Sequence, residues 1–264
     1  MTHAFDDDFD NDRPAASPPV RVAVFLDHTC PYSYMTFTAV RQALLERPAA
    51  THVEWHPLPL AGPLGRTTPA EEAMLHQRSA AEWPRIAQLA QLGFGLTLTP
   101  KDALADGRAA AGAVHWLRLL ARPHSRPEAE MALHAALFAA YHHDGRDIGS
   151  SDVLVETVAG LGVETNGLAV ALHRNRFGPQ IEADMRMAAD HGITAVPAVL
   201  LAGYLLVGAQ PAAVLVQSID QVQQADRLTA RANFVMDKTN TVLNESNAAD
   251  NTNSMINERN NADD

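Results

Sequence analysis

The chain has 264 residues, a formal net charge of −11 and a single cysteine, and 47% of it is hydrophobic. That length buries one sizeable globular core, or one core carrying a large insertion. The acid excess comes without a dense Lys/Arg block and excludes nucleic acid as a natural partner. No apolar run reaches the ~20 residues of a membrane span, and one thiol excludes an internal disulfide.

The segment from Met1 to Pro19 is acidic at first, then rich in Pro, Ala and Ser, and is expected to be a disordered arm. It lacks the basic start and apolar stretch of a secretory signal, so a cytoplasmic location is expected. The β-branched run Arg21–Leu26 predicts a strand. After Pro31 the apolar residues Tyr34, Phe37, Val40, Leu44 and Leu45 recur at helical spacing, with Pro suited to the first helical position. Thr51–His56 alternates as a second strand and is ended by Pro57, Pro59 and Pro63. From Pro69 the pattern is helical alone: 69–92, 102–120, 127–141, 151–159, 167–174 and 179–191. Ala198–Leu201 and Tyr204–Val207 around Gly203 predict a hairpin, and 211–225 a closing amphipathic helix. The expected architecture is α/β, a small mixed sheet flanked by helices, in a domain spanning 20–228. Its core would be 20–66 and 187–228, with a helical insertion at 67–186. The Asn-rich tail 229–264 is expected to be disordered.

Cys30 stands where the first strand ends and the first helix begins. A helix N-terminus offers unpaired N–H groups and a positive dipole end, which favour an anion. A thiolate there is expected below the free value of ~8.5, and Ser33, three residues on, can aim its hydroxyl or N–H at the sulfur. A lone cysteine is more often a small buried hydrophobe; its place before Pro31 at a strand-to-helix turn favours a nucleophile instead. Pro197, entering the hairpin, reads either as an edge device or as a cis proline in a tight turn beside which an extended ligand binds.

Strand, Cys-Pro-x-x, helix, helical insertion, then a Val-Pro turn before a hairpin resembles the DsbA-like branch of the thioredoxin superfamily. Asp27-x-x-Cys30-Pro31, Trp55-His56-Pro57, Phe138–Tyr141, Gly145-Arg146-Asp147-Ile148, Gly192–Pro197 and Gly208-Ala209-Gln210-Pro211 are similar to its FrnE-like subgroup. The resemblance spans about Arg21 to Val222 and implies a thioredoxin fold, a nucleophilic Cys30, a cis Val196–Pro197 bond and ancestral thiol–disulfide exchange. The family motif is usually Cys-Pro-x-Cys, whereas Ser33 stands here in place of the second sulfur. A dithiol cycle needs two sulfurs, so what remains is a monothiol cycle through mixed disulfides, with glutathione as co-substrate. Pro31-Tyr32-Ser33-Tyr34 also resembles the Ser-Pro-Tyr-Ser-Tyr motif of 2-hydroxychromene-2-carboxylate isomerases and kappa-class glutathione transferases, with Cys30 replacing the first Ser.

The site expected from this reading is Cys30 and Ser33 as the reacting pair, with Pro31, Tyr32, Val196 and Pro197 against the substrate and Asp27 and His28 as accessories. Asp27 reads equally as a turn cap, and His28 as a solvent-facing turn residue. His142-His143-Asp144 reads as no metal centre, because adjacent side chains at a helix end point apart. Trp83, Trp116 and Phe94 are assigned to the core or to the cleft between insertion and sheet. Thiol or disulfide compounds, small or protein-borne, are the expected partners, without nucleic acid, membrane or tightly bound cofactor, and a homodimer is admissible. The rival readings are a glutathione-dependent isomerase or transferase, and a redox-inactive thioredoxin-fold binding module.

Overall fold

The computed structural model describes residues 19–48, 51–59, 69–101, 105–233 and 236. The N-terminal arm to residue 18 and the tail beyond Met236 lie outside the described residues. Strand β1 (Val20–Leu26) runs parallel to β2 (Thr51–Pro57) on one side. On the other side it pairs antiparallel with β3 (Ala198–Leu201), and β3 pairs antiparallel with β4 (Tyr204–Val207). The sheet order is therefore β2-β1-β3-β4. A parallel pair needs a crossover, and helix α1 (Pro31–Glu46) supplies it.

The pleat of β1 sorts its side chains by face. Val22 meets Val40 and Ala43 of α1, together with Val53, Val199 and Leu201 from the neighbouring strands. Phe25 turns the other way and packs with Ala198, Ile193 and Ala188. Ala188 belongs to α7 (Gly178–Asp190), so α1 and α7 cover opposite faces. Both faces being covered explains why β1 reads as a nearly continuous apolar run rather than an alternating one.

Between β2 and α7 the chain forms α2 (Pro69–Phe94), α3 (Gly107–Leu120), α4 (Arg126–Phe138), α5 (Ser151–Ala159) and α6 (Leu168–His173). This is the expected insertion, and α3 to α6 have a core of their own built on Leu117, Leu133, Leu137, Ile148, Leu154 and Leu168. Trp116 belongs to that core and donates its indole N–H to Glu164 O at 2.7 Å. Trp83 and Phe94 of α2 pack instead beside Met35, Tyr32 and Tyr34 of α1.

Three details depart from the sequence reading. Helix α3 begins at Gly107, five residues later than expected, because the Asp106 side chain accepts the Arg108 N–H and caps the helix there. Helix α4 passes into a π turn over Ala139–His143. The chain folds into two units, 19–219 within the larger one; residues 212–219 close that unit as helix, and 220–233 of the second unit are also helical, so helix extends past the expected end at 225 and occupies 229–233, expected to be disordered.

Candidate functional site

Cys30 is the N-cap residue of α1, with extended backbone and Pro31 as the first helical residue. The turn before it is tight: the Cys30 N–H donates to Asp27 O at 3.0 Å, while Ser33 N–H and Tyr34 N–H donate to Cys30 O at 3.0 and 3.2 Å. Asp27 caps this turn from within, its Oδ1 accepting both the Thr29 N–H and the Thr29 hydroxyl at 2.8 Å. Ser33 is fully buried, and its Oγ accepts the Asp27 N–H at 3.2 Å. The Ser33 hydroxyl also favours the anionic form of the Cys30 sulfur.

The sulfur faces a second segment, the turn before β3. Cys30 Sγ lies 3.9 Å from Val196 O, and the Val196–Pro197 peptide bond is cis. The fold thus brings Cys30, Ser33, Asp27, Val196 and Pro197 to one place. Tyr32 lies on the side of α1 that packs with α2.

The expected lowering of the thiol pKa is overturned. Burial pushes the half-buried Cys30 thiol above its ordinary value, and the Asp27 charge adds to that push. The hydrogen bonds from Ser33 and Tyr32 pull downward without prevailing. The Val196 carbonyl adds a geometric reason, since it can accept from an S–H but can only repel a thiolate. Sequence placed the cysteine correctly at the helix terminus, but the packing that desolvates it has no sequence signature.

His28 is buried rather than solvent-facing, with 1% of its surface exposed. Its Nε2 lies 2.8 Å from His134 Nδ1, and the two rings stack 5.0 Å apart. His142, set by the π turn, donates its Nε2–H to His28 O at 3.0 Å. Phe138 packs tilted against His28, and Tyr34 stacks on Phe138 and His142. His143 points away and pairs with Asp144 at 2.7 Å, so the adjacent histidines diverge as expected. No cluster able to hold a metal ion is present among the described residues.

From His134 a polar chain crosses to the sheet. His134 Nε2 faces Glu130 Oε1 at 3.8 Å, and Arg118 Nε–H donates to the same oxygen at 2.9 Å. Arg118 also donates to Trp55 O and lies 3.8 Å from Asp184 Oδ2. Asp184 Oδ1 accepts from His56 Nδ1 at 2.9 Å, and His115 Nε2 stands 3.3 Å from Oδ2. His28 Nε2 and His134 Nδ1 share one hydrogen bond, so one ring is protonated at that nitrogen and the other accepts there. Burial keeps His28 well below its usual range, with the neighbouring imidazoles adding to this. Burial also brings His142 to about 3. Burial works to raise Asp184, but hydrogen bonds from His115 and His56 and the charges of His56 and Arg118 outweigh it and hold the carboxyl at about 2. Sequence reading missed His134, Glu130, Arg118 and Asp184; the polar residues Arg118 and Asp184, on the otherwise apolar faces of α3 and α7, were the available signal.

The comparisons with known proteins agree with this fold. A probable DsbA oxidoreductase from Streptomyces coelicolor is 24% identical, with 76% of this chain and 89% of that one covered, at a TM-score of 0.62. A 2-hydroxychromene-2-carboxylate isomerase is 16% identical over 78% of this chain and 98% of that one, at 0.63. The cytosolic disulfide reductase DsbM from Pseudomonas aeruginosa is 19% identical over 80% and 99%, at 0.55. That reductase has also been solved with GSH, and that structure aligns at 20% identity over 80% and 99%, at 0.50. A comparison with curated proteins found no match. The family model described as the DSBA-like thioredoxin domain matches residues 21–220. With the strand order, the inserted helices and the cysteine at the first helix in place, the chain belongs to the DSBA-like thioredoxin domain family.

Proposed function

We propose that the protein is a monothiol thiol–disulfide oxidoreductase that works through a mixed disulfide on Cys30. The observation that carries this reading is the Cys30 sulfur at the N-terminus of α1, beside Ser33 and 3.9 Å from Val196 O. In the first step the Cys30 thiolate attacks one sulfur of a glutathione mixed disulfide, R–S–S–G. The bond to R breaks, Cys30–S–S–G forms, and R–S⁻ leaves to take up a proton. In the second step the thiolate of reduced glutathione attacks the adduct, GSSG departs and the Cys30 thiolate is regenerated. The net reaction is R–S–S–G + GSH → R–SH + GSSG, an exchange that reduces one mixed disulfide and oxidises one glutathione thiol. No resolving thiol exists in the chain, since Ser33 replaces the second sulfur.

Burial makes Cys30 a reluctant thiolate in the free protein, so substrate binding supplies part of the activation. The Val196 backbone beside Pro197 orients the disulfide along the sulfur. Family membership and the DsbM neighbour solved with GSH support the reading. Wild type is expected to turn over a glutathione mixed disulfide of a small thiol in the presence of reduced glutathione, and Cys30→Ser to lose that turnover.

One observation favours a second reading. The Cys30 S–H donates to a carbonyl and is kept protonated by burial, so it can serve as a hydrogen-bond donor to the thiolate of bound glutathione. The hydroxyl of the isomerase-like motif would have that role. The two readings separate on one variant: Cys30→Ser preserves conjugation of glutathione to an electrophile under the second and abolishes all turnover under the first.

A further inference from the structure

The helical insertion contains a cavity that the thiol chemistry does not use. It has a volume of about 270 Å³ and lies between α3, the turn after α6, and α7. A single water needs only about 10–15 Å³, and small-molecule sites begin near about 300 Å³, so the space suits a small metabolite. Its floor is apolar, with Phe177 and Ile181, both buried. Its rim is polar, with Asp106, Arg108, Asn175 and Arg176.

The two arginines set the chemistry. Two other arginines of the insertion are paired, Arg118 with Glu130 and Arg146 with Glu156. Arg108 and Arg176 form no ion pair among the described residues. The rim has one acid, Asp106, engaged as the cap of α3 by accepting the Arg108 backbone N–H at 2.9 Å, so two positive groups stand against one negative. The Arg176 guanidinium carbon stands 6.0 Å from the centre of the Phe177 ring at the cavity floor. The turn that presents Arg176 is held by Asn175 in the left-handed region, φ 47°. The Asn175 amide packs so closely on Gly178 that a Cβ there would lie 2.7 Å from Nδ2. Gly112 lets Leu172 seat against bare backbone, since a Cβ would meet Leu172 Cδ2 at 2.7 Å. Two unpaired guanidinium groups over an apolar floor, on a chain of net charge −11, form a local positive site whose planar forks match carboxylates bidentately.

We infer that this cavity is a binding site for a small organic dicarboxylate, with one carboxylate on Arg108, the other on Arg176, and the carbon body on Phe177 and Ile181. The site is separate from Cys30 and does not depend on the proposed thiol chemistry.

Isothermal titration of the full chain with glutarate tests it, with the uncharged glutaramide and inorganic phosphate as parallel probes. Saturable glutarate binding is expected, with Arg108→Ala and Arg176→Ala each weakening it about tenfold, or about 1.4 kcal/mol. Glutaramide is expected not to bind, and phosphate to bind more weakly than glutarate. Arg→Lys variants keep charge without the fork and are expected to fall between wild type and Ala. Cys30→Ser is expected to bind as wild type does, which separates this site from the thiol. No saturable binding, equal affinity in the Arg108→Ala/Arg176→Ala double variant, or phosphate binding as tightly as glutarate would overturn the assignment. Neither arginine holds an ion pair, so the variants should fold, and thermal unfolding of each checks that.

Discussion

At Cys30 two opposing sets of groups act on one sulfur. The start of α1 and the Ser33 hydroxyl favour the thiolate, whereas burial, the Asp27 charge and the Val196 carbonyl favour the thiol, and the second set prevails in the free chain. Ser33→Ala removes a donor to the charged form, worth about 1.5–3 kcal/mol for a hydrogen bond to an ion. The pH profile of Cys30 alkylation should therefore move upward by one to two units in that variant. An unchanged profile would mean that Ser33 serves only the turn. Ser33→Cys restores the missing sulfur and should give a chain that exchanges disulfides with a model peptide without added glutathione; failure of a folded Ser33→Cys chain to do so would weaken the redox reading. The identity and position of the nucleophile were legible in Cys30-Pro31 between a strand and a helix. The direction of its pKa was not, because residues far apart in the chain, Val196 among them, desolvate it.

At the scale of elements, strand and helix periods were readable, and α5 and both hairpin strands fall where the sequence puts them. Two junctions were not. The π turn after α4 widens one turn of helix and leaves the apolar spacing of Leu133, Leu137 and Phe138 intact, yet it aims His142 at His28 O. The start of α3 could have been found, since Asp106-Gly107 is a capping residue followed by a residue with no side chain. The absence of that side chain matters to the site. A Cβ on Gly107 would sit 2.8 Å from Asp27 Oδ1 and 3.3 Å from Pro59 Cβ. Gly107→Ala must displace the Asp27 turn or shift α3, and overpacking of this kind costs about 1–3 kcal/mol. Chemical denaturation should report that loss, and Cys30 alkylation should change with it. Wild-type stability and reactivity in the variant would show that α3 does not brace the thiol loop.

For the larger unit, the polar chain from His28 to His56 ties the insertion to the sheet, and Arg118 is its hub, touching Glu130, Trp55 O and Asp184. Arg118→Met leaves two buried carboxylates without their cation, a loss on the order of 3–5 kcal/mol. A fall of well under 1 kcal/mol in urea unfolding would show that the chain contributes little. His28, His134 and His142 are neutral and buried, with pKa values held below the ordinary 6.5, whereas the unfolded chain protonates them below that value. The unfolded state then binds more protons, so stability present above pH 6.5 is lost as the pH falls below it. Each histidine adds about 1.4 kcal/mol per pH unit. His142→Gln, which keeps a donor toward His28 O, should reduce the acid slope by about one proton. An unchanged slope would place His142 outside this linkage. None of this pairing was readable in advance, since its members come from the first loop and from β2, α3, α4 and α7, and only the fold sets them side by side. No described helix is long and apolar enough to cross a membrane.

The most direct test is the mass of the intact protein after brief exposure to oxidised glutathione across a range of pH, beside Cys30→Ser and the denatured chain. One glutathione per folded chain is expected, absent in Cys30→Ser and released by reduced glutathione. Its rate of formation should keep rising beyond the ordinary thiol pKa of ~8.5. A folded chain that never takes up glutathione, while the denatured chain does, would contradict Cys30 as the nucleophile of a thiol–disulfide exchange.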